Sequence, residues 1–149
     1  MRLIRAADYA VRVLVYLAKQ TPAARVTRDE IITNTGIPAA FLKRIIQTLV
    51  QSGLVEAHRG VRGGCSLALP ADQIPVLRVI ESIDGPLEFS GCLGSPEVCP
   101  RSGSCAFRRL LGQVENNAKQ VLRETTIADL AADPAPGPCF PQMVIDCKP

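Results

Sequence analysis

The sequence predicts a mainly α-helical chain with one small β-hairpin: a winged helix-turn-helix unit followed by a long helix. Three observations carry that class. Apolar residues recur at helical spacing through the first fifty positions and are punctuated by glycine stops. A glycine-rich turn then separates two short apolar runs. A second long amphipathic stretch follows a loop that holds three cysteines.

Ala7, Ala10, Val11, Leu14, Leu17 and Ala18 repeat at i, i+3, i+4, i+7 and give a first helix, from about Ala6 to Lys19, one apolar face. Thr21-Pro22 ends it. The segment VTRDEI is a capping box: the Thr27 hydroxyl accepts from the Glu30 amide while the Glu30 side chain reaches back. The second helix is short, and Gly36 is its left-handed stop. A third helix begins near Pro38 with Phe41, Leu42, Ile45, Ile46, Leu49 and Val50 expected inside, and Gly53 closes it. Two helices across a short glycine-containing turn are the helix-turn-helix pattern. Leu54 to Arg59 and Cys65 to Leu69 then read as strands around the turn Gly60 to Gly64, which adds the wing.

Charge agrees with that reading. Residues 1–62 carry ten Lys or Arg against four Asp or Glu, whereas residues 63–149 carry seven against ten. A basic half joined to an acidic half points the first half at a polyanion. Off the apolar stripe of the third helix lie Ala39 and Ala40, small enough for close approach to a groove, with Lys43 and Arg44 for phosphates or guanine edges and Gln47 for adenine. Thr27 and Arg28 open the second helix, and Arg59, Arg62 and Gly63 place guanidinium groups on a wing whose backbone can press close to DNA.

Ile74 to Ile83 forms a fourth helix ended by Asp84-Gly85-Pro86, and the cysteine loop follows. Beyond it, Phe107, Leu110, Leu111, Val114, Ala118, Val121 and Leu122 make an apolar seam, with Arg108, Arg109, Glu115, Lys119 and Arg123 opposite. A long helix at the end of a chain of 149 residues has little core left to cover it, so a homodimer through this seam is expected, matched to two-fold readout of a palindromic duplex operator. From Asp133 the prolines and lack of period predict a flexible tail.

No run approaches the ~20 apolar residues of a membrane span. The opening MRLIRAADYAVRVLVYLAK is interrupted by Arg5, Asp8 and Arg12 with no small-residue cleavage site, so a cytoplasmic protein away from membranes is expected. An enzyme is not: no Ser-His-Asp set, phosphate loop or HExxH occurs, and His58 is the one histidine. In a reducing compartment the clustered cysteines are ligands or redox groups rather than a disulfide frame. Zinc accepts three cysteines with an aspartate or water, and a cluster-free thiol-disulfide sensor needs only two of them. Cys65 reads as a small buried residue, and Cys139 and Cys147 fall in the tail.

The opening helix, GIPAAFLKRIIQTLVQSGLVEAHRGVRGG, PADQIPVLRVIESIDG, the cysteine loop and TTIADL together resemble one superfamily, the bacterial iron–sulfur winged-helix transcription regulators that include IscR, NsrR and RirA. The resemblance spans roughly residues 1–132 and implies a homodimer whose cluster senses redox state, nitric oxide, oxygen or iron supply. It assigns Cys92, Cys99 and Cys105, spaced Cys-x6-Cys-x5-Cys, as cluster ligands. IscR-type members place a histidine where this chain has Arg108; NsrR-like members use an aspartate in the first helix of the partner subunit, matching Asp8. Asp8 also has a plain reading as a first-turn acid on the helix dipole. Three thiolates and one oxygen favour [4Fe–4S] over [2Fe–2S], with the oxygen-bound iron as the point of attack for nitric oxide or oxygen, and the amides of Gly91, Gly94, Gly103 and Ser104 are expected to face the sulfides. The expected division is 1–70 winged-helix DNA-binding domain, 71–90 connecting helix, 91–105 cluster loop, 106–132 dimerisation helix with a short cap, and 133–149 tail.

Overall fold

The computed structural model describes residues 5–21, 24–60 and 63–132. The expected flexible tail, with Cys139 and Cys147, lies outside the described residues, as do Pro22 and the wing residue Arg62.

Helix α1 (Arg5–Ala18) buries Ala7, Ala10, Val13, Leu14 and Leu17. Val13 lies off the predicted stripe, and Val11 and Ala18 are half-buried. The buried arc is wider than a single stripe because α1 is covered from several sides at once. Helix α2 (Arg28–Thr35) starts on the predicted box, with the Thr27 amide donating to the Glu30 carboxylate at 2.7 Å and the Glu30 amide donating to the Thr27 hydroxyl at 3.3 Å. It ends at Gly36, whose φ of 68° is left-handed and suits a residue without Cβ. Helix α3 (Ala39–Gln51) buries Leu42, Ile45 and Leu49. Phe41 and Val50, expected inside, are 53% and 38% exposed, because each lies on a flank of that narrow stripe rather than on it.

Strands β1 (Val55–His58) and β2 (Gly64–Leu67) pair antiparallel, with Val55 opposite Leu67 and His58 opposite Gly64. A third, one-residue partner was not legible in the sequence: Val26 exchanges both backbone bonds with Cys65, at 2.9 and 2.8 Å. That bridge ties the segment entering α2 to the wing.

After a 3-10 turn at Ala71–Gln73, α4 (Val76–Asp84) begins two residues later than expected. Pro75 is held extended as its N-cap, and Ile74 is occupied by a backbone bridge: the Ile127 amide donates to Ile74 at 2.9 Å and the Val76 amide to Thr125 at 2.9 Å. The short α5 (Gly91–Gly94) and a 3-10 turn at Pro96–Val98 lead to α6 (Ala106–Glu124). Thr125 turns extended and stops α6, and Thr126 then caps α7 (Ile127–Ala132), donating its hydroxyl to Asp129 at 2.6 Å and accepting the Asp129 amide at 3.2 Å.

Helices α2, α3, α4 and α7 and strand β2 all pack on α1, so the chain's last described helix closes the core that its first one opens. Leu14, Ile31, Ile37, Leu42, Leu49, Leu54, Ile74 and Ile127 are fully buried there. Among the described residues no helix is long and apolar enough to cross a membrane. Helix α6 stands apart, touching α4 and α5 and burying only Glu115.

Truncating Ile127 to alanine opens a cavity where α7 closes on α1 and is expected to cost about 2–5 kcal/mol. Urea unfolding followed by circular dichroism checks it; an unchanged midpoint contradicts this closure.

Candidate functional site

The residues expected to meet DNA fall on three segments, α3, the start of α2 and the wing, and the Val26–Cys65 bridge joins the last two. On α3, Ala39, Ala40, Lys43, Arg44 and Gln47 are all exposed, on the side away from Leu42, Ile45 and Leu49. At the start of α2, Arg28 is exposed. Thr27 is exposed as well, and its hydroxyl donates to the Glu30 carboxylate at 2.7 Å, which builds the helix start. The same bonds hold the Glu30 carboxyl below the usual carboxylate range. On the wing, Arg59 is exposed, and Gly63 is half-buried in the turn with its amide donating to Gly60 at 2.8 Å. A Cβ on Gly63 would stand 2.6 Å from the His58 carbonyl, so only glycine closes this turn. Among the described residues no carboxylate pairs with Arg28, Lys43, Arg44 or Arg59, which leaves four cations free for phosphates.

Among the described residues His58 joins no cluster of metal-ligating groups. Its Nε2 lies 2.9 Å from the Ser66 hydroxyl across the hairpin. Cys65 is buried in β2, and burial pushes its thiol up, with Arg28 opposing in part.

The other three described cysteines lie on the segment that leads into α6. Cys92 sits in α5, Cys99 follows the Pro96–Val98 turn, and Cys105 is the N-cap of α6. All three are unpaired and partly exposed. Two thiols already meet hydrogen-bonding groups: the Arg108 amide donates to Cys105 Sγ at 3.3 Å, and the Ser90 hydroxyl is 3.4 Å from Cys92 Sγ. Arg108 also donates from Nε to the Cys92 carbonyl at 2.8 Å, so one residue spans the first and third cysteines. Ser104, expected to offer its amide to a cluster, gives it to the Arg101 carbonyl at 3.1 Å.

The segment before Cys92 is strapped from two helices. Glu81 on α4 accepts the Leu87 amide at 3.4 Å, and Glu115 on α6 accepts the Phe89 amide at 2.9 Å. Lys119 pairs with Glu115 at 2.7 Å and, with the Phe89 amide, holds its carboxyl below the usual range. The sequence pattern puts Arg108, Glu115 and Lys119 on an outward face; the structure turns them toward the chain's own loop. Glu115 followed by Lys119 is the i, i+4 order that supports a helix, but nothing in the sequence links it to Phe89.

Asp8 sits on the outward side of α1, where Arg12 bridges both its carboxylate oxygens at 3.1 and 2.9 Å. Within one chain Asp8 and the cysteines are not gathered, and among the described residues no three Cys, His, Asp or Glu groups converge as a metal site. In kind, the donors still suit an iron–sulfur cluster: three free thiols within fourteen residues, one with an amide donor and one with a hydroxyl at the sulfur.

The sequence profile of Rrf2, described as an iron-dependent transcriptional regulator, matches residues 3–133. The chain belongs to the Rrf2 family. An HTH-type transcriptional regulator of Mycobacterium tuberculosis is 36% identical over 137 residues, covering 91% of this chain and 84% of that protein. Among solved structures, CymR of B. subtilis, the global cysteine regulator, superposes with a TM-score of 0.72 at 23% identity over 88% of this chain and 96% of its own. T. potens IscR superposes with a TM-score of 0.73 at 22% identity over 95% and 94%. At those identities the two structures speak for the fold, and the winged-helix class stands. This Rrf2 protein is a DNA-binding transcription regulator and not an enzyme.

Replacing Lys43 or Arg44 by alanine is expected to weaken binding to a duplex and to lower the salt slope by about 1 for each phosphate that no longer meets a cation. Fluorescence anisotropy over a salt series reads it; unchanged slopes in both variants would place the reading face elsewhere. Glu115→Ala, which strands the Phe89 amide and Lys119, is expected to cost about 1–3 kcal/mol. Because the folded Glu115 carboxyl is lowered, the strap acts above the ordinary glutamate range and disappears as pH falls through the lowered value. The stability gap between wild type and Glu115→Gln therefore narrows in acid, as measured by unfolding across pH.

Proposed function

We propose that this Rrf2 regulator works as a homodimer whose affinity for a palindromic operator is set by an iron–sulfur cluster, [4Fe–4S] in preference to [2Fe–2S]. One observation carries the reading: three unpaired cysteines are carried on the segment that runs into α6, a helix that exposes its own apolar seam. Phe107, Leu110, Val114 and Val121 are 64%, 53%, 43% and 62% exposed and fall at a 3-4 spacing completed by Asn117. That is the seam of a helix that meets a second copy of itself, with one polar residue to fix its register. Leu111, Ala118 and Leu122, counted in the same seam from sequence, are instead half-buried on the side toward the chain's own domain.

Cys92, Cys99 and Cys105 would hold the cluster on the sulfur side, and Asp8 of the partner subunit would complete it, the ligand pattern of the NsrR type. When bound, the cluster supplies a centre that redox change, nitric oxide, oxygen or iron shortage can alter. The chain's own groups do the rest. The Arg108 amide and the Ser90 hydroxyl lie against two of the sulfurs, Arg108 Nε holds Cys92 toward Cys105, and the Glu81 and Glu115 straps fix the approach to the loop. A cluster-free thiol sensor is the second reading, favoured by thiols that are unpaired and accessible without a common centre in one chain.

Anaerobic purification of Cys92→Ala, Cys99→Ala and Cys105→Ala is expected to give dimers without the visible sulfur-to-iron absorption of the wild type, and Asp8→Ala a dimer with altered absorption. Wild-type absorption in any cysteine variant would sink the ligand set. A colourless wild type with one zinc per chain would replace iron by zinc, and a metal-free wild type that loses free thiols on oxidation would leave the thiol sensor.

A further inference from the structure

The hairpin has two faces, and Val55 and Cys65 are buried on the one that meets the core. On the other, Glu56 stands opposite Ser66 in the β1–β2 register, and His58, two residues along, has its Nε2 2.9 Å from the Ser66 hydroxyl. The Val26–Cys65 bridge is antiparallel, so Arg25, one residue before Val26, falls beside Ser66, one residue after Cys65. A carboxylate, a hydroxyl with its imidazole, and a guanidinium therefore cross β1, β2 and the segment entering α2 in one row. All four side chains line a cavity of about 530 Å³, the size of a small-molecule site. Its apolar lining comes from Leu17 and Ala18 at the end of α1 and from Leu69 and Pro70 beyond β2.

The row is charged at both ends and satisfied only in the middle, where His58 and Ser66 hold each other. Among the described residues no carboxylate pairs with Arg25, and Glu56 meets His58 at 3.8 Å, beyond hydrogen-bonding reach, with its side chain 61% exposed. Neighbouring strands lie ~4.8 Å apart, so the backbones of Arg25 and Glu56 are ~10 Å apart, and both side chains are long enough to close on a group placed over Ser66. A ligand with a cationic and an anionic group side by side answers both ends at once, whereas an ion of one sign leaves one end unmatched. We propose that this cavity binds a free α-amino acid with an aliphatic side chain and that the occupant acts on operator affinity. The ligand carboxylate lies on Arg25, its ammonium on Glu56 and its side chain against Leu17 and Leu69, so that charge-assisted bonds orient it and the apolar lining selects it. Strand β1 runs from Glu56 and His58 into Arg59 of the wing, and the Arg25 segment runs into Arg28 at the start of α2. A molecule bonded to Arg25 and Glu56 thus clamps two of the three segments expected to meet DNA. This input is separate from the thiol loop and rests on no ligand of the proposed cluster.

His58 is the one histidine of the chain, so its ring resonances report the cavity directly. L-leucine is titrated into the full-length protein and compared with 4-methylpentanoate, which lacks the ammonium, and 3-methylbutylamine, which lacks the carboxylate. L-leucine is expected to shift the His58 resonances saturably, and each analogue to bind about tenfold more weakly or worse, as the loss of a bond to a charged group implies. Glu56→Gln is expected to weaken L-leucine by about tenfold and leave 4-methylpentanoate unchanged. Arg25→Gln is expected to weaken L-leucine as much and leave 3-methylbutylamine unchanged. Both residues are exposed, so neither change strikes the core. At saturation, operator affinity of the wild type is expected to change about fivefold or more, and that of Glu56→Gln at the same L-leucine concentration to stay closer to its ligand-free value. No saturable shift with L-leucine at about 10 mM overturns the site. Equal binding of L-leucine and either analogue overturns the paired-charge reading, and saturable binding with unchanged operator affinity overturns the action on the operator.

Discussion

A nineteen-residue helix that buries one residue of its own is the constraint on which the rest of this protein depends. Helix α6 has an apolar seam at 3-4 spacing that no element among the described residues covers, since α1 is already enclosed by α2, α3, α4 and α7. Leaving Phe107, Leu110, Val114 and Val121 in water is unfavourable by the area rule for apolar surface, and a second copy would remove all four from water at once. The proposed dimer then sets the distance between two reading faces, and the site at the head of α6 becomes one that the other subunit can complete.

The second feature of the design is how firmly the thiol loop is tied to the body that reads DNA. Carboxylates from α4 and α6 hold the backbone amides of Leu87 and Phe89, and Arg108 joins the first cysteine to the third. The Pro75–Thr126 bridge then fastens the far end of α6 to the start of α4. Few degrees of freedom are left between Cys92 and the helix-turn-helix, so a change at the loop has short routes by which to act. Such a change has to move an element with two arrangements to alter affinity.

Local chemistry was legible in the sequence wherever one residue type decides a conformation. The Thr27–Glu30 box, the Gly36 stop and the pairing of two strands in the wing all appear where the sequence placed them. Contacts between distant segments were not. The Val26–Cys65 bridge has no side-chain signature, because it is made by backbone groups that every residue carries. Glu115 looked like an ordinary surface acid, since a charged residue among apolar neighbours reads the same whether it faces water or a stranded amide. Hydrophobicity alone puts Phe41 inside, and only the position of α1 shows that its partner is Tyr9 on the flank. For the candidate site the three cysteines and their spacing were plain in the sequence. The straps that hold them, and the engagement of Asp8 by Arg12 one helical turn away, needed coordinates.

The central claim is that a dimer built on α6 carries an iron–sulfur cluster in each thiol loop. Native mass spectrometry of anaerobically prepared protein tests it most directly, because one spectrum gives both assembly and load. The expected species is a dimer whose mass exceeds that of two chains by two clusters, with four iron and four sulfide in each. A cluster-bearing monomer, or a dimer whose added mass is zinc or nothing, would contradict it.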